Sequence, residues 1–204
     1  MKAGIRVRYL LTMMTDDGER SRSHGLSPSV LELQAASLGI PIMMLPTSWN
    51  AYEATYLEAL RELRAFGIGA GVFGAIDVAE HRNWIERVCQ AAELQPILPL
   101  WQRERQSIVD ELARLRFNAI IVAVRDNALG KEFLGRAVNR TLFAPMQSSG
   151  IDICGENGEY HTFVTMGPDF AFPVALDATR PVFHDGYWVL SDESRGEAID
   201  VKSR

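Results

Sequence analysis

The segment at residues 154–162, with the sequence Cys-Gly-Glu-Asn-Gly-Glu-Tyr-His-Thr, concentrates side chains that can do chemistry. Two carboxylates, Glu156 and Glu159, stand three residues apart and are accompanied by an amide and an imidazole. The two glycines permit tight backbone geometry, which lets these groups converge on one ligand. Such a loop can fix a cationic or amine group, and a carboxylate in it can serve as a general base.

Two other interpretations of this loop bear on its chemistry. A plain β-turn before a hairpin would leave both glutamates solvated, and the sequence keeps that interpretation open. A metal site is disfavoured, because the spacing of Cys154, Glu156 and His161 matches no zinc or calcium pattern. No Ser/His/Asp triad and no catalytic Cys/His arrangement can be assigned.

Two further segments lie at positions where α/β proteins commonly bind ligands. Residues 69–74 match a G-x-G-x-x-G pattern, but they follow a predicted helix and enter a predicted strand, which is the reverse of a dinucleotide fingerprint. Gly74 instead marks the end of a strand, where a ligand can approach the backbone. His24 follows the Arg-Ser-Arg-Ser segment at residues 20–23, which is either an anion-binding loop or a mobile polar one.

Strands and helices, which must position these groups, are predicted to alternate along residues 6–124. Apolar runs predict strands at residues 6–14, 42–45, 68–76, 96–101 and 118–124. Helical spacing predicts helices at residues 28–38, 53–66, 80–94 and 105–117. This alternation predicts an α/β fold with a mainly parallel sheet covered by helices on both faces. Beyond Gly130 two strands, at 160–166 and 187–190, and several prolines predict a smaller mixed subdomain.

Composition excludes several classes of protein. With 47% hydrophobic and 23% charged residues, the chain is an ordinary globular one, and it has no apolar run long enough for a membrane span. A net charge of −5 argues against a nucleic-acid-binding role. Cys89 and Cys154 form no CxxC pair, so reduced thiols and a cytoplasmic location are expected. The oligomeric state stays open, with a homo-oligomer as one alternative.

Several motifs appear together and in order along the chain. They are the 154–162 loop, Pro-Leu-Trp at 99–101, Leu-Gly-Arg at 134–136, Glu-His-Arg at 80–82 with Glu-Arg-Val-Cys at 86–89, and Gln-Ala-Ala-Ser-Leu-Gly-Ile-Pro at 34–41. In these motifs the chain resembles the diphthine-ammonia ligase (diphthamide synthase) family. The His24-Gly25 and Tyr160-His161 pairs look like bacterial members of that family.

The resemblance implies a HUP-type, Rossmann-like nucleotide-binding domain at residues 1–101, an acceptor-binding subdomain at 102–191 and a flexible tail at 192–204. It implies an enzyme that uses ATP, with Mg²⁺ as an accompanying metal, to join ammonia to an unknown carboxylate acceptor. Members release AMP and pyrophosphate while amidating a modified histidine of elongation factor 2. The implied catalytic residues are Glu156 and Glu159. The implied substrate-binding residues are Gly155, Asn157, Gly158, His161 and Trp101, and the nucleotide-binding ones are His24, Gly74 and Arg82.

The 204 residues depart from the family pattern at one place. They contain no Ser-Gly-Gly-Lys-Asp-Ser phosphate loop, and the family's first strand also has no counterpart. Backbone N–H groups of such a loop bind phosphates, so we expect this chain to bind ATP weakly. A non-catalytic remnant or binding module of the same fold is therefore the alternative to a ligase.

Overall fold

The computed structural model describes residues 4–176 and 179–192, and it confirms a mixed α/β fold with helices and parallel strands. The predicted tail lies outside these residues, apart from the backbone of residue 192. The elements are β1 (Leu10–Met14), α1 (Pro28–Leu38), β2 (Ile42–Pro46), α2 (Tyr52–Ala65), β3 (Ala70–Val72), α3 (Ala79–Ala91), β4 (Gln95–Ile97), α4 (Arg105–Arg114), β5 (Asn118–Arg125), a 3₁₀ turn (Lys131–Phe133), α5 (Arg140–Ser148), β6 (Tyr160–Met166), β7 (Thr179–His184) and β8 (Tyr187–Asp192).

Helix α1 shows how local signals set an element. The Ser27 side chain accepts a hydrogen bond from the Val30 N–H, and Pro28 occupies the first turn. Gly39 ends the helix in the left-handed conformation, at φ +65°, where a residue without Cβ is favoured. These bounds match the predicted helix.

The four strands of the first part form two parallel pairs. Strand β1 pairs with β2, and β3 pairs with β4, with α1 and α3 as the respective crossovers. Among the described residues, no ladder joins one pair to the other. All four strands are short. Strand β4 ends at Ile97, before a turn closed by the Trp101 N–H on the Leu98 carbonyl, whereas the sequence predicted a strand to Trp101.

The second sheet is antiparallel, with the order β6-β5-β8-β7. The expectation that the strand at 118–124 completes the parallel series is therefore wrong. Ile121 to Val124 of β5 are fully buried, so this strand has the continuous apolar run that is also typical of parallel strands. The sequence also missed β7, which contains Pro181, and an edge position of the sheet is where a strand tolerates proline. It missed α5 as well, which Asn139 caps.

One apolar cluster joins the first part to the antiparallel sheet. Met14, Leu26 and Leu31 pack with Val122 and Phe163. Hydrogen bonds reinforce this contact, since the Gln34 amide donates to the Val164 carbonyl at 2.8 Å. The packing places the loop after β1, which carries His24, against the strand that carries His161.

Candidate functional site

The predicted active loop is organised by an aspartate that the sequence did not single out. Asp152 accepts hydrogen bonds from the N–H groups of Cys154, at 2.9 Å, and Glu156, at 3.2 Å. Gly155 has a φ of +69°, and a Cβ there would lie 2.9 Å from the Tyr160 carbonyl oxygen. A tight turn that depends on glycine is thus present, as the sequence indicated.

Arg105, the first residue of α4, fastens this loop to the first part of the chain. Its Nε donates to both oxygens of Asp152, at 2.8 and 2.9 Å, and its other nitrogens donate to both oxygens of Asp77. Hydrogen bonds from Arg105 lower the pKa of Asp77, and those carboxylates raise the pKa of Arg105. Arg105 is therefore a cation held between two carboxylates, and it ties the 154–162 loop, through Asp152, to Asp77 in the segment after β3.

Glu156 makes a second link between the 154–162 loop and the segment that follows β3. Its Oε2 accepts a hydrogen bond from the Ile76 N–H at 3.3 Å, just beyond the carboxyl end of β3. The carboxylate is half-buried and lines a cleft of about 780 Å³. Six residues singled out in the sequence line that cleft: His24, Gly155, Glu156, Asn157, Gly158 and His161. Residues that sequence reasoning missed there include Val78 and Tyr187, while Ser23 belongs to the polar 20–23 segment that the sequence had singled out.

Glu159 occupies a different place from Glu156. Its side chain is not among the groups that line the cleft, and the residue is only 7% exposed. Oε1 accepts hydrogen bonds from the Asp152 N–H and the Asn157 amide, both at 3.2 Å, while Oε2 is buried without a hydrogen-bond partner. The two carboxylates of the loop therefore do not converge on one ligand.

Two histidines face each other at the cleft. The ring centroids of His24 and His161 are 5.1 Å apart. Burial, with a smaller contribution from His161, lowers the pKa of His24 to about 4, and burial and Arg125 lower the pKa of His161. Both rings are neutral near pH 7, and each offers one lone pair and one N–H.

Cys154 also lines the cleft, but it is not an activated nucleophile. Burial, followed by the charge of Asp152, raises the pKa of its thiol to about 11. Because the thiolate is the reactive form, this cysteine stays protonated and inert near neutral pH. Among the described residues, no group of three or more His, Cys, Asp or Glu side chains is arranged to hold a metal ion.

Tyr187, the first residue of β8, lines the cleft and is held by Arg125, the last residue of β5. Arg125 donates from Nε to the Tyr187 hydroxyl at 3.3 Å and also bonds the Asn157 carbonyl. The Tyr187 hydroxyl donates to the Gly158 carbonyl at 2.9 Å. Gly158 has a φ of +71°, in the left-handed region that favours glycine, and a Cβ there would lie 2.8 Å from an Arg125 nitrogen.

Besides Glu159, three predicted residues lie outside the cleft. The Arg82 guanidinium stacks over the Trp101 ring at 5.1 Å and donates to Glu86 at 2.6 Å. Gly74 is exposed, with open space where a Cβ would be. Their assignment to nucleotide or substrate binding stays a prediction. No helix in the described part of the chain is long and apolar enough to span a bilayer.

Comparison with known proteins identifies the family of this chain. Residues 1–96 match the family model for the diphthamide synthase N-terminal domain, and residues 104–195 match the one for the C-terminal domain. Relatives named diphthine–ammonia ligase include those of Danio rerio (29% identity, 74% of this chain and 61% of the relative), Mus musculus (32%, 54% and 43%) and Homo sapiens (31%, 54% and 43%). The chain thus spans roughly half the length of these relatives. With both family domains present in order, the chain belongs to the diphthamide synthase family.

Proposed function

We propose that this chain supplies the ammonia and acceptor sites of a cytoplasmic, ATP-dependent ligase that converts a carboxylate into an amide. The observation that carries the proposal is the position of Glu156, whose carboxylate accepts a hydrogen bond from the Ile76 N–H in the segment after β3 and opens onto a cleft with His24 and His161. The relatives' name, diphthine–ammonia ligase, supports the same chemistry and makes diphthine the first acceptor to test. The free thiols of Cys89 and Cys154 support the cytoplasmic location.

The reaction needs a base at one step. An oxygen of the acceptor carboxylate attacks the α-phosphorus of ATP, and pyrophosphate leaves. The nitrogen of ammonia then attacks the acyl carbon, the acyl–oxygen bond breaks with its electron pair going to AMP, and the proton that the nitrogen loses goes to the departing AMP or to water. Ammonium, the main form near neutral pH, has no free electron pair, so a proton must leave it first. In the proposed site Glu156 accepts that proton.

The surroundings of Glu156 suit an ammonium ion. The carboxylate supplies the negative charge, and the neutral rings of His24 and His161 can each accept an N–H bond from a cation. A protonated histidine here would repel the ion, so lowered pKa values favour binding. The described residues offer no cage for a metal, so no step is assigned to one.

We assign Glu159 a positioning role instead of the catalytic role that the sequence predicted. It bonds the Asp152 N–H and the Asn157 amide, and Asp152 in turn holds the N–H of Glu156. Through this chain of bonds Glu159 fixes the turn that presents Glu156. Its own carboxylate, buried behind that turn, is out of reach of the cleft.

One observation favours a binding module as the second candidate function. The 204 residues contain no Ser-Gly-Gly-Lys-Asp-Ser sequence. A triphosphate would therefore lack its main backbone donors. Ammonia and acceptor binding do not need those donors.

The test compares this chain with a fusion that adds the phosphate-loop segment of a relative. AMP release from ATP is measured with ammonium chloride and diphthine-bearing elongation factor 2, each omitted in turn. We expect the fusion to release AMP only when both substrates are present, and this chain alone to release little. A folded fusion that binds ATP yet forms no AMP with both substrates present would overturn the ligase proposal and favour the binding module.

A further inference from the structure

A second cleft lies beside the first, between the loop that follows β1 and the β7–β8 hairpin. Its volume is about 580 Å³, within the range of small-molecule sites. Trp49, Val182, Phe183 and Val189 give it an apolar wall. Trp49 is 65% exposed and Phe183 is 51% exposed, so a ligand could still cover much of both rings. The proposed ammonia cleft does not include any of these four residues.

The polar side of this second cleft contains an incompletely satisfied arginine. The Arg22 side chain is only 9% exposed, yet its Nε–H is buried without an acceptor. Another of its nitrogens bonds Asp16 and the Thr47 carbonyl, and the guanidinium lies 4.6 Å from the centroid of the Trp49 ring. A buried donor without a partner is costly, and an anionic oxygen is its strongest partner.

The charges around Arg22 limit which anion fits. Arg20 and Arg22 line the cleft, but Asp17 and Asp185 line it too. A hydrogen bond from Thr15 and others nearby lower the pKa of Asp17, which is therefore negatively charged near pH 7. Two acidic side chains would repel a triphosphate. Asp16 already pairs with Arg22, so the contact left for a ligand is the Nε–H, which a single carboxylate can accept.

We propose that this cleft binds an organic monocarboxylate with an apolar or aromatic body. Its carboxylate accepts the free Nε–H bond of Arg22, and its body packs against the exposed faces of Trp49 and Phe183. The site goes beyond the amide-forming reaction, because binding here needs neither ATP nor ammonia. The two clefts share His161, Tyr187 and Ser23, so the bound molecule lies next to the cleft of Glu156.

Calorimetric titration of the unmodified chain with two matched probes tests the site. N-acetyl-phenylalanine carries the charge and the aromatic body, and its amide carries the body alone. We expect the carboxylate to bind at least tenfold more tightly than the amide, since only the former pairs with Arg22. Equal affinity for the two probes, or tighter binding of ATP in competition, would overturn the proposal.

Two variants test the carboxylate contact with Arg22 and the aromatic contact with Trp49 separately. Arg22→Gln should weaken the carboxylate at least tenfold and leave the amide unchanged, while Arg140→Gln, a change at an exposed arginine on α5, is the control. If Arg22→Gln fails to fold, Trp49→Ala serves instead, because an exposed side chain contributes little to stability. Trp49→Ala should weaken both probes severalfold. If a folded Arg22→Gln or Trp49→Ala variant binds the carboxylate probe as tightly as the parent, the proposal is overturned.

Discussion

Lowering the pH should destabilise this protein through His24. Burial lowers the pKa of His24 to about 4 in the folded chain, whereas an unfolded chain protonates this ring near the ordinary value of 6.5. Between these two values the unfolded state binds more protons, so the free energy of unfolding falls as the pH falls. The stabilising contribution is fully present above 6.5 and is lost on the way down to about 4.

The expected size follows from the shift. At about pH 5 the unfolded chain gains about 2 kcal/mol from protonating His24, while the folded chain gains almost nothing. His161, whose pKa burial also lowers, acts in the same direction. With a typical urea dependence of about 2 kcal/mol per molar, the midpoint should move by about 1 M.

The assay is urea unfolding followed by circular dichroism at about pH 7.5 and about pH 5. Carboxylates also titrate in this window, so the informative quantity is the difference between the parent and His24→Gln, which cannot take up the proton. The exposed His184 offers a control in His184→Gln, which should behave like the parent. If His24→Gln loses as much stability as the parent, the neutral-histidine description of the cleft is wrong.

Three other predictions concern the loop and the nucleotide. Glu159→Ala should lower the free energy of unfolding by about 2–4 kcal/mol in urea titrations, because it leaves the Asp152 N–H and the Asn157 amide without their acceptor; an unchanged midpoint would contradict the positioning role. Arg105→Gln should lower the free energy of unfolding by about 2–4 kcal/mol in the same titrations, since it removes the partner of a buried Asp152 carboxylate. A loss below about 0.5 kcal/mol would contradict the role of Arg105 in fastening the loop. ATP should bind this chain more weakly than about 1 mM in calorimetry, and a Kd near 1 μM would show that another segment holds the phosphates.

Local signals in the sequence were enough to predict the helices of the first part. Helix α1 is set by a cap at Ser27, a proline in its first turn and a glycine just after its end, and all three signals lie in the helix or next to it. Strand direction is different. The buried apolar run of β5 is the same whether its neighbours are parallel or antiparallel, so only the packed sheet could settle its place.

The candidate site was predictable as a set of residues but not as a geometry. Spacing places Glu156 and Glu159 in one loop, yet the turn between them, with Gly158 at φ +71°, sends one carboxylate to the cleft and buries the other. Arg105 lies 47 positions from Asp152, so no local pattern could connect the two. Tyr187 lies at the cleft because β8 pairs with β5, and the sequence does not predict that pairing.

The most direct test of the account is the rate of ammonium-dependent amide formation by Glu156→Gln in the fusion that carries a phosphate loop. The matched control is Glu62→Gln, a change at an exposed glutamate on α2. We expect Glu156→Gln to fold, to bind ATP like the control and to form amide about a hundredfold more slowly near pH 7. The defect should shrink above the pKa of ammonium, where free ammonia needs no base. A folded Glu156→Gln that matches the control at neutral pH would contradict the assignment of Glu156 as the base.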